Sequence, residues 1–192
     1  VDEQGNFKAS VQIPATGLST GTSIFMDSMI MTMSPAATRT LLIETDYSYE
    51  QVTACADHVH SFKDIGASIA SGSFRSEGMI IAPCSVKTLS AVANCMTEDL
   101  ISRAADVCLK ERRRLVLLFR ETPIHAGHIH QMDLATRAGA IVMPAVVGLY
   151  YRPRTVMEMI DHLAGRALDL LGIDTGTVKR WHGQPQRGDG ED

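Results

Sequence analysis

The sequence holds a single Trp, aromatic residues at only 5% of its 192 positions, and four cysteines with no CxxC pair among them. Without that pair the usual redox and metal-binding spacing is gone. Cys55, Cys84, Cys95 and Cys108 sit in or beside apolar runs and are predicted to be reduced and buried. No apolar stretch is long enough to span a bilayer, and the polar start Val1-Asp2-Glu3-Gln4 lacks the basic-then-apolar plan of a signal peptide. The expectation is a cytoplasmic protein with no membrane association. Excess positive charge is missing too. The formal net charge of −4 argues against a nucleic-acid partner, and Arg112-Arg113-Arg114, with no aromatics interleaved, reads as a solvated helix end.

What is present is an ordinary globular balance, 45% hydrophobic and 21% charged, in a length that fits one domain with a core of its own. Apolar runs alternate with amphipathic segments, which predicts parallel strands joined by crossover helices. Met79-Ile80-Ile81-Ala82 reads as a strand ending at Pro83, and Ser85 and Thr88 then open a helix toward Cys95. A helix is predicted from about Leu100 to Lys110, followed by a buried strand at Leu115–Phe119. A helix from His125 to Ala138, a strand at Ala140–Met143 and an amphipathic helix from Thr155 to Leu171 complete a β-α-β-α-β-α pattern. Met29–Met33 could be a short strand ending at Ser34, and Gly17-Leu18-Ser19-Thr20-Gly21 a turn or a phosphate loop. The fold class expected is a doubly wound, Rossmann-like parallel α/β sheet in three layers. One domain is expected over residues 1–183, atypical over 1–30, with a polar tail at 184–192.

In such sheets ligands bind at the carboxyl ends of strands, where the next helix presents free backbone N–H groups and the positive end of its dipole. Cys84-Ser85-Val86-Lys87-Thr88 occupies that position, and its hydroxyls and amides can either hold a phosphate or simply cap a helix. Arg103 and Lys110, seven residues apart, fall near one helix face with Asp106 in reach of Arg103. That face could bind phosphates or be a surface laced with ion pairs. Arg120-Glu121 places two charges straight after five apolar residues, at the rim of a buried sheet. His125, His128 and His130 suggest a ligand cluster by spacing. On one helix the third would point away from the first two, and no Cys or acid stands close, so no metal site is expected. The ten methionines read as core filler.

Taken together, Ser71-Gly72-Ser73-Phe74, Gly78 through Leu89, Arg103 through Val107, Leu109 through Arg113 and Arg120-Glu121-Thr122-Pro123 resemble the UbiX/Pad family of flavin prenyltransferases in order and spacing. The resemblance extends to Ser34-Pro35-Ala36-Ala37, Leu42 through Asp46, Tyr150 through Pro153, Arg166 through Asp169 and Arg180-Trp181, covering roughly residues 31 to 183. It implies a flavodoxin-like domain that assembles as a homo-oligomer, a dodecamer. It also implies a metal-independent transfer of a dimethylallyl group from dimethylallyl phosphate to N5 of reduced FMN, with ring closure onto C6. The prenylated FMN would pass to a UbiD-type decarboxylase. By the same resemblance Ser34, Ser85, Val86, Lys87, Thr88 and Arg103 would hold FMN. Lys110, Arg120, Tyr150 and Arg166 would bind the prenyl phosphate, cations being what a departing phosphate requires. Glu121 and Glu44 would be acid/base carboxylates, and Trp181 would cover the site against water.

The family's opening strand and Gly-Ala-Ser/Thr-Gly loop are not matched: one register would use Lys8-Ala9-Ser10, another Ala15-Thr16-Gly17, and neither reproduces the glycines. An impaired or non-catalytic FMN or prenyl-FMN binding protein serving a decarboxylase is therefore the alternative. A peptidyl-cysteine decarboxylase is a third, disfavoured by Lys110, Arg120 and Arg166, which suit a second phosphate better than a peptide.

Overall fold

A computed structural model describes residues 28–181 and Gly183. The candidate loops at Lys8–Ser10, Ala15–Gly17 and Gly17–Gly21, and the tail, lie outside the described residues. The chain divides into two compact units, a first running through Pro144 and a second beginning at Ala145.

The first unit contains β1 (Ile30–Met31), α1 (Pro35–Glu44), α2 (Tyr49–Thr53), β2 (His58–Val59), a 3-10 turn at Ser68–Ala70, β3 (Gly78–Cys84), α3 (Val86–Ala93), α4 (Leu100–Lys110), β4 (Arg114–Phe119), α5 (Ala126–Ala138) and β5 (Ile141–Pro144). Among the described residues every strand pairing is parallel. β1 pairs with β2, and β3, β4 and β5 form a three-stranded sheet in that order. Parallel neighbours need a crossover, which is why a helix stands between each consecutive pair of these three strands.

β4 is the centre. Leu115, Val116 and Leu117 have no exposed surface, so the strand is covered on both faces, as its unbroken apolar run requires. Leu115, Leu117 and Phe119 pack with Ile81 and Cys84 of β3, Leu89 of α3, Ala105 and Cys108 of α4 and Ala135 of α5. α4 starts where Asp99 accepts a hydrogen bond from the Ser102 N–H at 2.9 Å, and it buries small residues, Ala104, Ala105 and Cys108, which lets it lie close to the sheet and to the 3-10 turn.

Sequence and structure diverge in small ways. β3 continues past Pro83 to Cys84, with a shift of register between Ile81 and Cys84, because a residue without an N–H cannot take its turn in the ladder. The expected burial of all four cysteines is corrected: Cys84 and Cys108 are buried, but Cys55 follows the short α2 and Cys95 follows α3 in a left-handed conformation (φ 55°), and both are exposed. The second unit holds α6 (Val156–Asp169), capped by Thr155, whose hydroxyl accepts from the Glu158 N–H at 3.1 Å.

Candidate functional site

The ends of β3 and β4 bring two of the singled-out segments together. The register pairs Cys84 with Phe119, and the Arg120 N–H donates to the Cys84 carbonyl at 3.4 Å. The chain beyond each strand therefore leaves the sheet side by side: Ser85–Thr88 from β3 and Arg120-Glu121 from β4. Ser85 Oγ accepts from the Thr88 N–H at 3.3 Å and lies 3.2 Å from Thr88 Oγ1, so the capping role is realised. The first amides of α3 have no intrahelical acceptor and carry the positive end of the helix dipole. Val86 packs on the core while Lys87 stays exposed. Glu121 is half-buried and its Oε1 accepts from the Thr122 N–H at 3.0 Å. Arg120 is exposed beside it. Hydroxyls, helix amides, a guanidinium and a carboxylate at the carboxyl ends of two neighbouring strands fit a phosphate-bearing ligand and offer an acid/base group next to it.

Arg103 and Lys110 do share α4, but they are anchored elsewhere. Arg103 Nε donates to the Ala70 carbonyl at 3.2 Å and Nη1 to Asp106 Oδ2 at 3.1 Å, the ion pair that the spacing foretold. Lys110 pairs with Glu111, and that hydrogen bond, followed by the charges of Lys110 and Arg113, holds the Glu111 carboxyl below the usual carboxylate range. The loop Ser71–Phe74 rests on this end of α4. Arg113 Nη2 donates to the Gly72 carbonyl at 2.7 Å, and a Cβ on Gly72 would fall on the Glu111 carboxylate and the Lys110 ammonium. Lys110 ends α4 just before the chain enters β4 at Arg114, whereas Arg120 and Glu121 follow its other end. Six residues of strand, about 20 Å, separate them, so one chain does not gather Lys110 with Arg120 and Glu121.

Ser34 and Glu44 stand at opposite ends of α1: Ser34 caps it through the Ala37 N–H at 3.1 Å, and Glu44 is its last, exposed residue. In the second unit Tyr150 Oη lies 3.3 Å from His162 Nε2, and the Tyr151 ring stacks on His162 at 4.0 Å between centroids. Burial, reinforced by the Arg166 charge, pulls the His162 pKa below its ordinary value. Arg166 Nη1 donates to Asp169 Oδ2 at 2.7 Å. Trp181 is 67% exposed.

The histidine spacing resolves into capping. His125 is the N-cap of α5, with Nδ1 accepting from the Gly127 N–H at 3.0 Å, and the ring of His128 lies 3.8 Å from its own. Among the described residues no group of three or more His, Cys, Asp or Glu side chains is placed to hold a metal. No described helix is long and apolar enough to cross a membrane.

Burial also sets cysteine chemistry. It pushes the Cys84 thiol up to about 12 and raises that of Cys108, while Cys55 and Cys95 are accessible. A maleimide near neutral pH should label Cys55 and Cys95 within minutes and reach Cys84 and Cys108 only after unfolding. Peptide mass spectrometry reads this directly, and rapid modification of native Cys84 would contradict it.

Glu111 and Gly72 lie against Lys110, His162 against Tyr150 and Asp169 against Arg166, although the sequence assigned none of them a role. Asp169 could have been found as the acid three residues after Arg166 on a helix, and Gly72 as the glycine that a close approach needs.

The flavoprotein family model matches residues 7–167, which agrees in class with a parallel α/β fold and a phosphate-fitting strand edge. The flavin prenyltransferase UbiX of Thauera aromatica is 50% identical over 157 residues, spanning 82% of this chain and 81% of that protein. The crystal structure of AnUbiX (PadA1), in complex with FMN and dimethylallyl pyrophosphate, superposes with a TM-score of 0.79 at 48% identity, covering 81% of this chain and 83% of that one. A dodecameric FMN-dependent UbiX-like decarboxylase from Escherichia coli O157:H7 gives a TM-score of 0.77 at 41% identity, over 80% and 83% of the two chains. The chain belongs to the UbiX family of flavin prenyltransferases, with their flavodoxin-like α/β fold.

Proposed function

We propose that the protein transfers a dimethylallyl group from dimethylallyl phosphate to reduced FMN, making prenylated FMN for a UbiD-type decarboxylase. The observation that carries this is the meeting of the α3 N-terminus with Arg120-Glu121 where β3 and β4 end, in a chain half identical to flavin prenyltransferases. When bound, FMN supplies the nucleophilic ring positions N5 and C6. The protein's part is binding, charge and protons. Ser34, Ser85, Val86, Lys87, Thr88 and Arg103 are assigned to the flavin, with the α3 amides and hydroxyls as the donor set.

Lys110, Arg120, Arg166 and the Tyr150 hydroxyl are assigned to the prenyl phosphate, where they stabilise the negative charge that grows as the allylic C–O bond breaks. Glu121 takes or returns the proton at the flavin or the phosphate, with Glu44 as a second carboxylate, and Trp181 limits water at the reacting carbon. The separation of Lys110 from Glu121 along β4 supports a homo-oligomer in which one copy completes another's site, and the relative from E. coli O157:H7 is dodecameric. Residues 1–183 act as one flavoprotein domain, and free cysteines support a cytoplasmic setting.

Incubating the protein with reduced FMN and dimethylallyl phosphate should give a flavin heavier by one dimethylallyl group, at a rate unchanged by a chelator. Flavin uptake without that product would instead favour a carrier, and a colourless protein that takes up no flavin would exclude both.

A further inference from the structure

Asp169 closes α6, where the free carbonyls carry the negative end of the helix dipole and disfavour a carboxylate. Its side chain is nevertheless only 9% exposed. Two guanidiniums offset the cost. Arg166, one turn back, donates from Nη1 to Oδ2 at 2.7 Å, and Arg180 donates from Nη2 to Oδ1 at 3.0 Å and from Nη1 to Oδ2 at 3.3 Å. Arg180 also reaches Asp174 Oδ2 at 2.9 Å. The segment that carries Arg180 lies along α6 at further points. A Cβ on Gly165 would come within 2.7 Å of Thr177 Oγ1 and Val178 Cγ2, and Lys179 Nζ is 3.8 Å from Glu158 Oε2. Asp174 shapes the turn by accepting from the Gly176 N–H at 2.9 Å.

We propose that Asp169 is a positioning residue with two tasks: it fixes the Arg166 guanidinium, and through Arg180 it docks on α6 the segment that ends in Trp181. The inference rests on the proposed function, since Arg166 matters as a prenyl-phosphate ligand. A guanidinium has five N–H donors in a rigid fork. The bond to Asp169 occupies Nη1 and orients the plane, leaving Nε and Nη2 of Arg166 for an incoming phosphate. Arg180 takes both carboxylate oxygens, so one buried charge ties the anion-binding cation to the residue next to Trp181. Without the negative charge, Arg166 loses its fixed rotamer and Arg180 keeps only Asp174.

The test uses the full-length FMN-loaded protein. Asp169→Asn keeps the shape and removes the charge; it should raise KM for dimethylallyl phosphate by about tenfold or more while FMN affinity holds. Trp181 is the only tryptophan, so fluorescence anisotropy reads the docked segment without turnover, and Asp169→Asn should lower it. Arg180→Gln should lower the anisotropy as far but raise KM less, because Arg166 retains its partner. Asp169→Glu, which keeps the charge, should restore most of both signals. Unchanged anisotropy in Asp169→Asn, or a KM rise matched by an equal loss of FMN affinity, would overturn the assignment. If the unmodified protein turns over no prenyl phosphate, the proposed function falls while the anisotropy comparison still decides the docking.

Discussion

Glu121→Gln is expected to lower kcat for prenyl transfer by roughly 10²–10⁴-fold, the usual worth of a positioned acid or base. Glutamine has nearly the same shape, and its amide oxygen can still accept from the Thr122 N–H that Glu121 Oε1 now holds at 3.0 Å. The side chain should therefore stay in place at the end of β4, half-buried beside Arg120, with only its capacity to carry a proton removed. KM for the prenyl phosphate and FMN affinity should change little, so single-turnover measurements isolate the chemical step. A rate within a fewfold of the unmodified protein would mean that the proton moves through another group, with Glu44 the first to examine.

Leu117→Ala is expected to destabilise the fold by about 3–5 kcal/mol, the range for emptying a buried leucine site. Leu117 has no exposed surface, lies on the central strand and packs among residues of β3, α3, α4 and α5. Its neighbours are held by ladders on both sides of β4, which limits how far they can collapse into the space. Against a net stability of about 5–15 kcal/mol, much of the margin would be lost. Urea denaturation should show an earlier midpoint with an unchanged slope. A change below about 1 kcal/mol would show that the core relaxes around the cavity, against the close packing argued for β4.

Periodicity made the sheet-forming half of the chain legible. Leu100–Lys110 is predicted and observed as a helix with the same ends, and in the structure Asp99 caps its start while small buried residues line its inner face. β4 was legible from five apolar residues in a row. α1 was harder: Ser34 and Pro35 signal a start, but none of its residues is buried, so no apolar stripe reveals the rest. The two-residue strands β1 and β2 are held by partners distant in sequence, such as the Met29 N–H donating to Asp57 Oδ2 at 2.7 Å, which local pattern cannot show. At the candidate site, the placement of the named residues was not legible. Nothing in the one-dimensional pattern says that Lys110 is occupied by Glu111, or that a strand's length separates it from Glu121.

The order β3-β4-β5 sets each strand beside its neighbour in sequence. Forming this sheet therefore requires closing only the two crossover segments, and the entropy lost in closing a loop grows slowly with its length. Parallel pairings as a class form slowly, and among them those closed by the shorter crossovers lose the least entropy. The residues from Gly78 to Pro144 make a natural folding nucleus, with β4 as the template on which both neighbours zip. Mutations there should slow folding, while changes in α1 should mainly speed unfolding. The strand whose end presents Glu121 would then be among the first parts of the molecule to become native.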